Sequence, residues 1–132
     1  MEDWIFYKEK GNKEYAEGNY KSAIELYDKA ISKFLNNKEI NSNQDILYSN
    51  VAQCYIQLNI LDKAIEFLLK AIDINPMNIK SNKRLFNCYL KLGKFKEAIL
   101  YNKRCENIDK DNANIHQEDD KLLNYVSKID SN

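Results

Sequence analysis

The chain has 132 residues, with twenty basic and twenty acidic side chains that cancel to a net charge of zero. That length suits one domain able to bury roughly two thirds of its unfolded surface. The charge balance argues against general nucleic-acid affinity, so any electrostatic function must come from local arrangement. The most apolar run, Ala64 to Ile72, is broken by Glu66 and Lys70 and is far too short to span a membrane. The N-terminus lacks the basic start, apolar core and small-residue cleavage site of a secretory signal, so a cytoplasmic address, or a nuclear one, is expected.

Apolar residues at helical spacing predict a first helix from about Trp4 to Glu17, with Asp3 as its N-cap and Gly18-Asn19 as the turn that follows. Tyr7, Gly11 and Tyr15 fall on its packing side, and the glycine lets a partner helix approach closely. A second helix, from about Tyr20 to Leu35, would bury Ala23, Ile24, Tyr27, Ala30, Ile31 and Phe34. Asn36 to Asn43 carries four asparagines without helical periodicity, and reads as a surface insertion that lengthens the loop or extends the helix. The third helix, about Asp45 to Leu58, shows Tyr48, Ala52 and Tyr55 on one face; the fourth, about Leu61 to Ile74, shows Ala64, Ile65, Leu68, Ala71 and Ile72. Asn59 turns between them and Pro76 closes the unit. A fifth helix is expected over about Ile79 to Leu92 and a sixth over about Phe95 to Ile108. Asn112 or Asp111 would then cap a last helix to about Ile129, with Ile115, Leu122, Leu123, Val126 and Ile129 as its apolar stripe.

These elements repeat. A shift of 34 residues lays Cys54-Tyr55 on Cys88-Tyr89, Leu58 on Leu92, Asn59 on Gly93 and Ala64-Ile65 on Ala98-Ile99. A shift of 41 lays Gly18 on Asn59, Ala23-Ile24 on Ala64-Ile65 and Ala30-Ile31 on Ala71-Ile72, so the first copy is followed by seven extra residues. Cys54 and Cys88 share a repeat position, and Cys105 stands where the other copies have Ala30 and Ala71, which marks all three as small buried side chains. A single distant His116 supplies no zinc site, and neither metal nor cofactor is expected.

A helix-turn-helix period of 34 residues with spaced Tyr, Gly, Ala, Tyr, Ala and Pro positions resembles the tetratricopeptide repeat (TPR), over Trp4 to Asn112. The resemblance implies an all-α fold of three repeats, at about 4–37, 45–78 and 79–112, in a right-handed superhelix. A loop insertion at 38–44 and a C-terminal capping helix at about 113–129 complete a single domain over 1–132. In that family the first helix of each pair lines a concave groove. The groove positions here are Ile5, Lys8, Glu9, Asn12, Tyr15 and Ala16; then Ile46, Ser49, Asn50, Gln53, Ile56 and Gln57; then Lys80, Lys83, Arg84, Asn87, Leu90 and Lys91. Five cations face one anion, Glu9.

The resemblance extends to the co-chaperone subset that binds the extreme C-terminus of cytosolic heat-shock protein 90 or 70 through a two-carboxylate clamp. Its pattern matches Lys8 and Asn12 in YKEKGN, Asn50 in LYSN, and Lys80 and Arg84 in IKSNKR. A spacing of four puts each pair on one helical face. The resemblance implies that Lys8, Asn12 and Asn50 hold the terminal carboxylate of a Glu-Glu-Val-Asp-like peptide. Lys80 would hold the Asp side chain, and Arg84 a group upstream. Tyr15, Gln53 and Ile56 would border the pocket for the preceding residue, and Lys83, Asn87, Leu90 and Lys91 would meet residues further upstream.

The function expected is therefore a peptide-binding adaptor, with no nucleic acid, membrane or catalytic chemistry and with a monomeric state. No phosphate loop or nucleophile-base pair points to an enzyme. The other readings are a general scaffold for a folded partner or internal peptide, and the targeting module of a larger enzyme. Four departures from the family pattern stand out: Lys10 for an apolar residue, Glu14 and Asn102 for aromatics, and Phe86 for a small residue. The first two suggest an end helix less fully covered, and Phe86 a wider helix packing.

Overall fold

The computed structural model describes residues 3–37 and 43–111, and among these all regular structure is α-helical. Six helices follow in order: α1 (Asp3–Ala16), α2 (Tyr20–Asn37), α3 (Gln44–Gln57), α4 (Leu61–Ile74), α5 (Ile79–Lys91) and α6 (Phe95–Asp111). The chain divides into two compact units, Met1–Pro76 and Met77–Asn132. In the first, α1 packs on α2, α3 on α4, and α2 joins the two pairs by packing against α3. In the second, α5 packs on α6.

The turns inside the pairs are set by local chemistry. Gly18, Asn59 and Gly93, which share one repeat register, take positive φ of 81°, 60° and 73°. Each turn is closed by the same two backbone bonds. Gly18 and Asn19 N–H donate to the Tyr15 and Glu14 carbonyls at 3.0 and 2.9 Å, Asn59 and Ile60 to Ile56 and Tyr55 at 2.9 and 2.8 Å, and Gly93 and Lys94 to Leu90 and Tyr89 at 3.0 and 2.9 Å. This is the Schellman arrangement, which satisfies the last carbonyls of a helix and needs a residue tolerant of the left-handed region. Asn78 caps α5, its side chain accepting from Ser81 N–H at 2.9 Å.

Several boundaries differ from expectation. Asp3 is the first helical residue of α1 rather than the residue before it. The second helix runs two residues past Leu35, and α6 runs past Ile108 and includes Asp111. Residues 38–42 of the insertion and the expected helix at 113–129 lie outside the described residues.

The core of the first unit gathers Trp4, Tyr27, Phe34, Leu47, Tyr48 and Val51 around the small residues Ala23, Ala30, Cys54 and Ala71. Aromatic edges couple its layers: Trp4 meets Phe34 at 5.8 Å and 89°, and Phe34 meets Tyr48 at 5.9 Å and 80°. This is the edge-to-face geometry that the ring quadrupole favours. Ile31, expected in the core, is partly buried against it. Asp45, buried at the start of α3, accepts from Asn75 Nδ2 at the end of α4 at 3.1 Å, which ties the two ends of that pair together. In the second unit Leu85, Phe86, Cys88, Ala98, Cys105 and Ile108 are buried, and Tyr89 stacks on Tyr101 at 5.6 Å.

α1 is the least covered helix, burying Trp4 and Gly11 alone. Lys10 accordingly lies exposed with its Nζ 4.7 Å from the centroid of the half-exposed Phe6 ring, and Glu14 accepts from Asn19 Nδ2 at 2.8 Å across the turn. Both departures from the repeat pattern are polar residues serving a partly open helix.

Candidate functional site

In the first unit, α1 carries Lys8 and Asn12 one turn apart, and α3 carries Asn50. Lys8 is half-buried, with its Nζ 5.4 Å from the centroid of the buried Trp4 ring. A cation over an indole face gains about 0.5–1 kcal/mol at an exposed site, enough to give the ammonium a preferred position without immobilising it. Asn12 is exposed, yet its Oδ1 accepts a short hydrogen bond from the hydroxyl of Tyr27. Tyr27 itself is 1% exposed. Burial raises its phenol well above the ordinary tyrosine range, with smaller contributions from Cys54 and Tyr15, so the hydroxyl keeps its proton throughout the physiological range. Asn50 is half-buried on the second turn of α3.

The ring of Tyr27 reaches α1 because Gly11 has no side chain. A Cβ placed there would lie 2.6 Å from Tyr27 Cε1, inside any permitted contact. The glycine thus sets both the close approach of α2 and the position of the hydroxyl beside Asn12.

On the same two helices Tyr15, Gln53 and Ile56 are half-buried, and Tyr15 packs edge-on against Tyr20 at 5.4 Å. Ile5 is half-buried, and Glu9, Ala16, Ile46 and Gln57 are exposed. Ser49 is a correction: at 2% exposure it is buried and lines no groove. It sits between the core residues Tyr48 and Val51 on the helix, where rotation by one residue separates an inward from an outward face.

In the second unit, α5 presents Lys80, Lys83, Arg84, Asn87, Leu90 and Lys91. Lys80, Asn87 and Lys91 are exposed; Lys83, Arg84 and Leu90 are half-buried. The opposite face of the helix, Ser81, Asn82, Leu85, Phe86 and Cys88, is buried. Burial pushes the Cys88 thiol up to about 11, against the fields of Lys91 and Arg84, which lower it. The three cysteines are buried free thiols, as their repeat positions imply.

Every charged or amide residue of the expected donor set is thus at least partly accessible on the first helix of its pair. Tyr27 was read from the sequence as core alone. A signal for its second role was present: Gly11 and Tyr27 occupy a register that holds Ala52 and Leu68 in the second repeat and Phe86 and Asn102 in the third, so the tyrosine is peculiar to the first. Among the described residues no group of three or more His, Cys, Asp or Glu could hold a metal ion, and no helix is long and apolar enough to cross a membrane.

A family model described as anaphase-promoting complex, cyclosome, subunit 3 matches residues 16–105. The chain is 34% identical over 124 residues to the Hsp70/Hsp90 co-chaperone CNS1 of Saccharomyces cerevisiae, an alignment covering 94% of this chain and 30% of that protein. The solved structure of Hsp90 co-chaperone Cns1 from Saccharomyces cerevisiae superposes with a TM-score of 0.82 at 26% identity, covering 98% of this chain and 40% of that one. The second TPR domain of Spaghetti (RPAP3), solved with the HSP90 peptide SRMEEVD, superposes with a TM-score of 0.71 at 26% identity, covering 80% of this chain and 91% of that one. The chain spans between 12% and 30% of the length of the curated relatives considered, which include DnaJ homolog subfamily C member 7 of Homo sapiens at 38% identity. Three helix pairs closed by the same turn, a family match over most of the sequence and these relatives lead to one conclusion: the chain belongs to the tetratricopeptide-repeat family.

Proposed function

We propose that this chain is a co-chaperone-type adaptor that binds the acidic C-terminal peptide of cytosolic heat-shock protein 90, and of heat-shock protein 70 where the same ending occurs. The observation that carries the reading is the similarity to a TPR domain holding SRMEEVD, joined to 34% identity with the co-chaperone CNS1. Residues 4–112 act as one three-repeat module. Lys8, Asn12 and Asn50 take the terminal carboxylate, Lys80 the side chain of the final Asp, and Arg84 a group upstream.

The residue types suit that ligand. A peptide ending in Asp offers two carboxylates, and charge-assisted hydrogen bonds to them are worth about 1.5–3 kcal/mol each. Asparagine beside lysine donates without adding another cation to repel the first. Lys83, Asn87, Leu90 and Lys91 serve residues further upstream, and Tyr15, Gln53 and Ile56 the residue before the terminal Asp. This is a binding role with a cytosolic address, and any catalysis belongs to a partner.

Titration calorimetry with a peptide ending in Met-Glu-Glu-Val-Asp and with its C-terminally amidated twin tests the proposal. Micromolar binding, about −8 kcal/mol, is expected for the free acid. Amidation, Lys80→Ala or Arg84→Ala should each weaken it on the order of tenfold or more. Equal affinity for both peptides, or none for either, overturns the reading and leaves a general scaffold.

A further inference from the structure

We propose that Tyr27 is a positioning residue for this site: its buried hydroxyl holds the Asn12 carbonyl oxygen and thereby fixes the amide so that its NH2 faces an incoming carboxylate. The inference rests on the adaptor reading above and deepens it.

A primary amide has an acceptor and a donor at opposite corners of one plane. Unheld at an exposed helical position, it presents either corner to solvent, and the acceptor corner repels a carboxylate. Here Tyr27, fifteen residues away on α2, donates to Oδ1, which leaves Nδ2 on the side of the amide away from the ring. The phenol is well suited to this because it is itself immobile. Its ring is 1% exposed and sits in the space that Gly11 leaves open, with three of its carbons within 3.1 Å of where a Cβ would be. Anchoring passes from the packed core to the exposed amide through one hydrogen bond, so less conformational freedom is lost on binding.

The other repeats lack the device. At the registers of Asn12 and Tyr27 the second repeat has Gln53 and Leu68, which cannot form such a bond. The third has Asn87 and Asn102, and Asn102 directs its Nδ2 to Glu106 Oε1 at 3.1 Å within α6. An exposed Asn held by a buried phenol therefore belongs to the first repeat, where the terminal carboxylate is placed.

The test compares wild type, Tyr27→Phe, Asn12→Ala and the double variant by calorimetry with the free-acid peptide, and follows the Asn12 side-chain NH2 signals by NMR in the unliganded protein. Tyr27→Phe keeps the ring and should melt close to wild type. It should weaken the peptide about fivefold, cause no further loss on the Asn12→Ala background, and move the Asn12 NH2 pair toward its position in an unfolded chain. An Asn12 NH2 pair unchanged by Tyr27→Phe, or losses that add independently in the double variant, overturns the positioning role while wild-type binding preserves the adaptor reading. Absence of peptide binding by wild type overturns the adaptor reading itself, and the NMR signals then report separately whether Tyr27 holds the amide.

Discussion

The α1–α2 and α5–α6 pairs solve the same packing problem with the sizes exchanged. Where the first helix of the first pair has Gly11 and the second helix has Tyr27, the corresponding positions of the third pair hold Phe86 and Asn102. Tyr27, Phe86 and Asn102 are all essentially buried, at 1%, 3% and 0% exposure. The middle pair divides the volume more evenly between Ala52 and Leu68, both fully buried. Bulk added on one helix is removed from the other, so the register tolerates very different residues so long as their sum fills the space. The chemistry differs sharply even so. The first pair gains a phenol that reaches the surface amide Asn12, while the third gains an interior amide whose Oδ1 has no hydrogen-bond partner among the described residues.

Removing the large member should break either pair whichever helix carries it. Tyr27→Ala on α2 and Phe86→Ala on α5 are each expected to cost about 3–5 kcal/mol, measured by urea unfolding. A much smaller loss for either would mean that its helix pair closes over the cavity. Adding to the small member should hurt less. Gly11→Ala drives a Cβ to 2.6 Å from Tyr27 Cε1, an overpacking cost that helix propensity offsets by about 1 kcal/mol, for a net loss of about 1–2 kcal/mol. If Gly11→Ala stabilises, the close approach of Tyr27 is wrong.

The third pair should accept improvement. Asn102→Leu keeps a branched side chain of four heavy atoms and removes a buried orphan oxygen, and the half-buried Glu106 that loses its partner can turn to water. A gain of about 1 kcal/mol is expected in the same unfolding assay. The last effect concerns pH and is confined to alkaline conditions. Burial raises the Cys88 thiol from 9.0 to about 11, so the unfolded chain loses this proton first. The contribution is fully present below about pH 9 and declines as pH rises through about 11. Cys88→Ala should flatten the alkaline arm of a stability-pH profile between those values, and an unchanged arm would assign it to another group.

Helix positions and turns were legible in the sequence because their causes are local. A period of 3.6 residues marks α1 to α6, and a left-handed residue at Gly18, Asn59 or Gly93 ends a helix through bonds to carbonyls three and five positions back. Boundaries moved by one to three residues, at Asp3, Asn37 and Asp111, where fraying and capping compete on a small energy scale. The set Lys8, Asn12, Asn50, Lys80 and Arg84 came from a resemblance in residue type and spacing; spacing along a helix accounts for each of them lying at least partly accessible on the first helix of its pair. Ser49 was misplaced because a residue at the border of two faces goes inward or outward according to what packs beside it, and here it is 2% exposed.

By itself, then, the sequence determined three helix pairs on one period, the residues that turn them, and the small side chains that let them approach. The tertiary structure decided what the packed side chains do once helices meet. Gly11 admits the Tyr27 ring, the ring's hydroxyl holds Asn12 across fifteen residues of chain, and Trp4 lies beneath the ammonium of Lys8. Backbone turns depend on neighbours within a few residues, whereas a hydrogen bond between two helices exists only after their separation and rotation have been fixed by the volumes packed between them.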